Sequence, residues 1–392
     1  MTRSTDLDLV IVGGGPAGLS TALHARELGD RMVVLEKQRY PRDKICAGAI
    51  GARAFRILDN IGVVVECAKV PIDALALRFA GETVTVREPG VAVVVRRYDF
   101  DHAFAKVAIA RGIDVRDGCG VERIAVEADR VVVTTETGEI FRARAVVGAD
   151  GIGGVVRTQA GFPRGTLRAQ VVELDTEAAP GDEPRDTLVF DFATRELHGY
   201  AWDFPTLVAG TPMMCRGAYV IRDDRRRGDA PHVRVAEYLE RRGLDPTRYK
   251  LKRYAEQGFE PGAAIAKPRV LLVGEAAGID IATGEGIGQA IEYGSLAGPY
   301  LVAALARDDL GFTGWQRRVA RNHLGRQLRI RHAMYRAFYG PRRLSFENMV
   351  PKLGPLLRAG AQDFAGTPMS KLAIARGAAR LFAGLVREGL RT

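Results

Sequence analysis

Residues 6–37, DLDLVIVGGGPAGLSTALHARELGDRMVVLEK, decide the fold. Leu7–Val12 is a short apolar run and reads as a buried strand; a glycine turn follows, then a helix from about Pro16 to Leu28. A second apolar strand, Met32–Leu35, ends at Glu36. This order opens a βαβ unit. Gly13-Gly14-Gly15-Pro16-Ala17-Gly18 satisfies G-x-G-x-x-G between that strand and that helix. Bare backbone at Gly13 and Gly15 lets the chain turn sharply and approach a pyrophosphate. The helix that Pro16 and Ala17 open supplies N–H groups from Ala17 onward and partial positive charge at its N-terminus, and Gly18 lets helix close on strand. Glu36 ends the second strand, where a carboxylate accepts hydrogen bonds from an adenosine ribose. A glycine-rich turn can arise by chance, but strand, helix and acid together mark a dinucleotide site. The fingerprint alone does not choose between NAD and FAD.

The rest of the 392 residues bounds the answer. A hydrophobic fraction of 47% with 27% charged residues is that of a globular protein of two or three packed units. Cys46, Cys67, Cys119 and Cys215 form no C-x-x-C pair and share no ligand spacing with histidine. Free thiols and no metal site are expected. Acidic residues stand where a signal peptide would be basic, and no apolar run approaches about 18 residues. The expectation is a cytoplasmic protein. From Gly311 to Thr392 sixteen Lys/Arg face three acids (Glu347, Asp363, Glu388), so this tail carries +13 of a formal net +10 and the preceding residues total −3. Basicity belongs to the tail.

Strand and turn signals return at RARAVVGADG and at PRVLLVGEAAG, with a helix from about Phe100 to Arg111 between the first unit and these. Short strands and turns are expected over 75–95, and strand-rich sequence over 166–263. Everything after about Ala306 reads helical. Nucleotide-binding pieces therefore recur at the start, the middle and near residue 270, with β-rich insertions between them.

Two later stretches choose the cofactor by resemblance. Gly148-Ala149-Asp150-Gly151 ends a strand and is followed by Arg157; Gly274-Glu275-Ala276-Ala277-Gly278 leads to Gly284-Glu285-Gly286 and a helix beginning near Ile287. Here the chain resembles the geranylgeranyl reductase branch of the flavoprotein hydroxylase (p-hydroxybenzoate-hydroxylase-like) superfamily, from about Asp8 to Gly298. The resemblance implies FAD. It implies that Glu275, where the family has Asp, binds the ribityl chain, and that the helix after Gly286 points its N–H groups at the flavin. YPRDKICAGAIGARAFR, residues 40–56, matches a further family segment through Lys44, Cys46 and Gly48, with Ala47 in place of glycine. Arg97 matches an arginine that lies near the cofactor. Carried over, the FAD-contacting set is Gly13, Gly15, Pro16, Ala17, Gly18, Glu36, Lys37, Lys44, Cys46, Ala47, Gly48, Arg97, Asp150, Gly151, Gly274, Glu275, Gly284, Glu285, Gly286 and Ile287.

The implied fold class is α/β (α+β overall). A Rossmann-like FAD-binding domain comes from separated segments 1–74, 96–165 and 264–305, an antiparallel β-sheet substrate domain from 75–95 and 166–263, and a helical region from 306–392. In GYAWDFP, residues 199–205, alternation puts Tyr200, Trp202 and Phe204 on one strand face. The segment resembles the branch's Y-x-W-x-F-P, so Tyr200, Trp202, Phe204, Pro205 and Cys46 are expected to line a pocket for an apolar substrate. The bland alternatives are strand core for the aromatics and a buried small hydrophobe for Cys46. No catalytic acid or base stands out, and His24, His102 and His198 are given no role.

The leading function is hydride reduction of a carbon–carbon double bond in an isoprenoid or lipid-like substrate by reduced FAD. The runner-up is a monooxygenase of an aromatic or polyketide metabolite; a third reading is a flavin- or lipid-binding protein without turnover. NADPH, reduced flavin or ferredoxin could donate electrons, since no second dinucleotide fingerprint occurs. In the tail, Leu324, Leu328, Ile330, Met334, Tyr335 and Phe338 fall in one helical arc. Arg326, Arg329 and Arg336 lie opposite, and Arg331 interrupts the apolar side. A helix packed on the body is expected. A membrane surface at the inner face or an acidic carrier is the alternative, and no nucleic-acid motif accompanies the charge.

Overall fold

The computed structural model describes residues 6–79, 81–194, 197–222, 230–340 and 343–367, together with 372, 375, 376 and 379. Val10 in the first strand, Asp6–Val12, pairs in parallel with Val33 of Met32–Leu35 on one side and Val146 of Ile140–Gly148 on the other. Val146 in turn pairs with Val270 of Val270–Leu272. Three distant stretches thus build one parallel sheet, extended by Asp114–Arg116 at one edge and by antiparallel Val131–Thr135 and Val121–Val126. All four residues of Met32–Leu35 are buried, as a strand covered on both faces requires.

Helices Pro16–His24 and Ile287–Ala306 pack against each other through small residues. A side chain added at Gly294 would meet Ser20, and one at Gly298 would meet His24. Ser20 Oγ donates to Ile291 O at 2.8 Å across that contact. The first helix is shorter than its sequence predicts. It stops at His24, and a 3-10 stretch, Arg26–Arg31, follows in which Gly29 has φ +57°.

The second sheet runs Lys252–Gln257, Arg168–Thr176, Thr211–Arg222, Gly199–Val208, Thr187–Asp191, Lys69–Phe79, Glu82–Val95 and Ala49–Gly51. The expected short strands over 75–95 are instead two long ones, with a bulge between Ile72 and Ala74 that lets the hairpin bend. One face of this sheet is closed by helix Pro231–Glu240, through Val235 and Leu239 against Val172, Ala218 and Val220. The other face meets the C-terminal helices and the flavin motifs.

Helix His323–Phe338 departs from the expected arc. Leu324, Leu328 and Tyr335 are buried, while Ile330 and Met334 are 51% and 54% exposed. Arg331, the apparent interruption, points inward. It donates to Asp280 Oδ2 at 2.9 Å and Glu285 Oε2 at 2.6 Å. Beside it His323 bridges Glu292 at 3.2 Å and Asp363 at 2.7 Å, tying three helices together.

Candidate functional site

The turn after the first strand is held by its own backbone. Gly13 has φ +107°, and a side chain there would strike the carbonyl oxygen of Ala149 on the neighbouring strand. Only glycine fits both conditions. A side chain at Gly18 would strike the carbonyl of Gly13, which is the close helix–strand approach its position implies. Gly15 differs, because the nearest atom to an added Cβ is Arg42 Nη2 at 3.9 Å. Protein does not fill the space above Gly15 at the start of the helix, where the dipole favours an anion.

Glu36 is buried beside this turn. Its Oε2 accepts from Gly14 N at 2.8 Å and its Oε1 from Gln38 N at 3.0 Å. Arg42, also buried, reaches Glu36 at 3.4 Å and Asp101 at 3.0 Å. Asp101 in turn takes both bonds of a bidentate pair from Arg97, each 2.7 Å. Burial alone would oppose the Arg97 charge, but Asp101 more than offsets this and holds the guanidinium firmly protonated. The Tyr40 hydroxyl bonds Gly14 O, so residues 40–42 wrap the glycine turn.

The second and third motifs meet at Gly151, whose added Cβ would lie 3.7 Å from Glu275 Oε2. Arg157 fastens them by donating to Ala276 O at 2.7 Å and Pro163 O at 2.8 Å. Asp150 Oδ2 accepts from Val156 N at 3.0 Å, and burial pushes its carboxyl up to about 6. Glu275 accepts from the Tyr254 hydroxyl and lies 3.6 Å from Lys44 Nζ, which rests 3.2 Å from the centre of the Tyr254 ring. Burial pulls the Lys44 ammonium down, against the attraction of Glu275.

A fit test for FAD follows from unmet bonding capacity. Arg42 Nε, Asp150 Oδ1 and Glu275 Oε1 are buried with no hydrogen-bond partner. Buried polar groups are ordinarily paired. They lie on the 40–42 segment, the second motif and the third motif, which adjoin the glycine turn through Arg42 at Gly15, Asp150 at Gly13 and Ala17 at Gly274. A dinucleotide with ribose, pyrophosphate and ribityl oxygens is the kind of ligand that completes such a set. The residues fit.

The aromatic face borders the same region. Tyr200, Trp202 and Phe204 are buried and share one face, extended by Tyr219 stacked 5.2 Å from Tyr200 and by Phe190 at 5.2 Å from Phe204. Trp202 lies over Gly217, where any side chain would collide with its ring. Tyr200 Oη donates to Thr283 O at 2.5 Å, and a side chain at Gly284 would touch Tyr219 at 2.8 Å. The loop between the two halves of the third motif therefore packs directly on the aromatic face. Across from it Cys46 N donates to Glu173 Oε1 at 3.2 Å. Burial pushes the Cys46 thiol up.

Most residues read from sequence converge here, including Ala47 and Gly48, the latter at φ +80° against Val95. Pro205 is buried on the strand beyond Phe204, and Ile287 is buried at the start of its helix. Two side chains lead elsewhere. Lys37 is exposed, and Glu285 turns to Arg331. Sequence reasoning passed over Arg42, Tyr254, Glu173, Glu256 and Asp280. Arg42 lay inside the quoted 40–56 segment. Tyr254 and Glu256 sit two apart in KRYAEQ, a polar, half-buried strand whose pattern marks no inward face. Among the described residues, no cluster of His, Cys, Asp or Glu could hold a metal, and no helix is long and apolar enough to cross a membrane.

Residues 6–257 match the family described as FAD binding domain. The chain is 28% identical over 322 residues to menaquinone reductase of Mycobacterium tuberculosis, covering 77% of this chain and 78% of that protein. It is 25% identical over 315 residues to digeranylgeranylglycerophospholipid reductase 1 of Methanococcoides burtonii, covering 77% and 76%. A geranylgeranyl bacteriochlorophyll reductase-like protein of Thermoplasma acidophilum shares the fold at TM-score 0.70 and 19% identity, covering 98% of each chain.

Proposed function

This chain belongs to the FAD binding domain family and is an FAD-dependent oxidoreductase, and on that premise we propose that it reduces a carbon–carbon double bond in an isoprenoid or similar lipid-like molecule. The observation that carries this reading is the aromatic face of Tyr200, Trp202 and Phe204 packed against the third-motif loop through Tyr200 and Thr283. A wall of that kind accepts an apolar chain and excludes water. Both relatives are named for reductions of polyprenyl-bearing lipids, which are substrates such a wall would suit.

In this reading the Gly13–Gly18 turn, Glu36 and Arg42 hold the nucleotide half of FAD. Asp150 and Glu275 hold its linker, and Lys44 and Cys46 border its substrate side. When bound and reduced, FAD supplies a hydride equivalent. The chain's own contribution is to orient the alkene and keep the pocket dry. Ile330 and Met334 form an exposed apolar pair flanked by Arg326, Arg329 and Arg336, which suits the membrane surface from which a lipid substrate is drawn.

Dithionite-reduced protein mixed without oxygen with a polyprenyl menaquinone is expected to return to the oxidised flavin spectrum and to yield the dihydro product. Reoxidation that requires oxygen and yields a hydroxylated product would replace this reading with the monooxygenase.

A further inference from the structure

Adding hydrogen across a double bond needs a proton as well as a hydride, and the aromatic face carries two acids, Glu173 buried and Glu256 half-buried. Strand Lys252–Gln257 pairs with Arg168–Thr176 so that Glu256 lies opposite Ala169, Tyr254 opposite Val171 and Lys252 opposite Glu173. The register continues from Val171 to Tyr219 and Tyr200, and from Glu173 to Gly217 and Trp202. Side chains of directly paired residues share a face. Glu173 and Glu256 therefore stand on the wall that Tyr200 and Trp202 build.

The two acids differ in what they already do. Glu173 has both oxygens engaged, accepting from Cys46 N at 3.2 Å and facing Cys215 Sγ at 3.8 Å. It fixes the Cys46 segment. Glu256 Oε2 is buried against the Tyr219 hydroxyl, the side chain that hydrogen-bonds Glu256. The charged and titratable groups acting on Glu256 are Glu275, Lys44, Tyr219 and Asp280; Glu256 in turn acts on Cys46, Tyr200 and Tyr254. It thus sits where Lys44, the third motif and the aromatic wall meet. Burial first, and then the like charge of Glu275, push its carboxyl up to about 8, so it holds a proton at neutral pH.

We propose that Glu256 is the acid that protonates the substrate carbon. The assignment rests on the reductase reading. As the π bond breaks, one alkene carbon takes a hydride whose two electrons come from reduced flavin, which is thereby oxidised. The other carbon forms its C–H bond with the proton of the Glu256 carboxyl, whose O–H bond breaks to leave a carboxylate. That carboxylate regains its proton from water before the next turnover.

The test uses holoenzyme and Glu256→Gln, which preserves shape. FAD content, melting temperature and reduction by dithionite should match wild type. Anaerobic formation of the dihydro product from polyprenyl menaquinone or from geranylgeraniol in detergent micelles should fall about 100-fold or more, the usual worth of a general acid. The decline of the wild-type rate above about pH 8 should vanish in Glu256→Gln and persist in Glu256→Asp. Independently of turnover, infrared difference spectra should show a protonated carboxyl band that titrates near pH 8 and is absent from Glu256→Gln. A Glu256→Gln rate within about threefold of wild type, or no Glu256-dependent band at pH 7, overturns the assignment while leaving the reductase reading standing. Wild type that neither probe reoxidises overturns the reductase reading, and the proton donor with it.

Discussion

Gly15 and Trp202 show how much a single residue's surroundings decide. At Gly15 an added side chain meets no protein atom closer than 3.9 Å, so Gly15→Val should fold with near-wild-type melting yet purify without yellow colour. The branched side chain would occupy the space the pyrophosphate needs. Absorbance per folded chain checks this, and full flavin occupancy in the variant would remove the cofactor site from this turn. Trp202 is 3% exposed and packs on Gly217, so Trp202→Ala should cost about 3–5 kcal/mol of stability. In the proposed function its ring also forms the wall of the substrate pocket. The folded fraction should therefore keep its FAD while losing coupling, oxidising reductant without matching product. Thermal unfolding, bound-flavin absorbance and product yield on one sample separate the two effects; unchanged coupling per folded molecule would make Trp202 core alone.

At the scale of elements, the C-terminal helices are locked by charge as well as by apolar contact. Burial opposes the charge of His323, but its hydrogen bonds to Asp363 and Glu292 outweigh this and push the imidazole up to about 9. A histidine whose folded value exceeds its unfolded one stabilises fully below about pH 6.5 and loses that contribution as pH rises to about 9. Melting temperature should accordingly fall across that window, and His323→Gln should flatten the fall. Arg331 uses the same logic without titrating. It pairs with Asp280, Glu285 and Asp363 at once, and Asp280 also accepts from Ala282 N at 2.7 Å in the loop beneath Tyr200. A helix outside the flavin motifs is thereby wired to the loop that shapes them.

For the whole molecule, the described part of the basic tail, as far as Thr367, packs on the body. Phe364 packs on Gly51, where an added side chain would lie 2.5 Å from Phe364 O, and Arg56 Nη1 donates to Gly366 O at 2.6 Å. Ala361 and Ala365 are buried in the core of the second sheet. Ending the chain after Gly340 should uncover that surface, lowering melting temperature and solubility. It should not remove any DNA affinity, because arginines such as Arg331 and Arg343 are spent on internal carboxylates. DNA binding by the full chain with a steep salt dependence, abolished by the truncation, would contradict this.

The sequence alone determined the nucleotide-binding unit. Gly13, Gly15, Gly18 and Glu36 lie within one local strand–turn–helix–strand, where spacing fixes geometry and no distant partner is needed. Ordered motifs near 150 and 275 likewise announced that one sheet gathers three stretches. What only the tertiary structure decided depends on register between strands far apart in the chain. Arg331 looked like a flaw in an apolar stripe until Asp280 and Glu285 were found beneath it. Glu256 sits in a polar hexapeptide, and no periodicity reveals that pairing with Ala169 places it on the face of Tyr219 and Tyr200. A carboxyl's proton is set by burial and by the charges brought around it. Those are properties of the assembled sheet, not of its order in the chain.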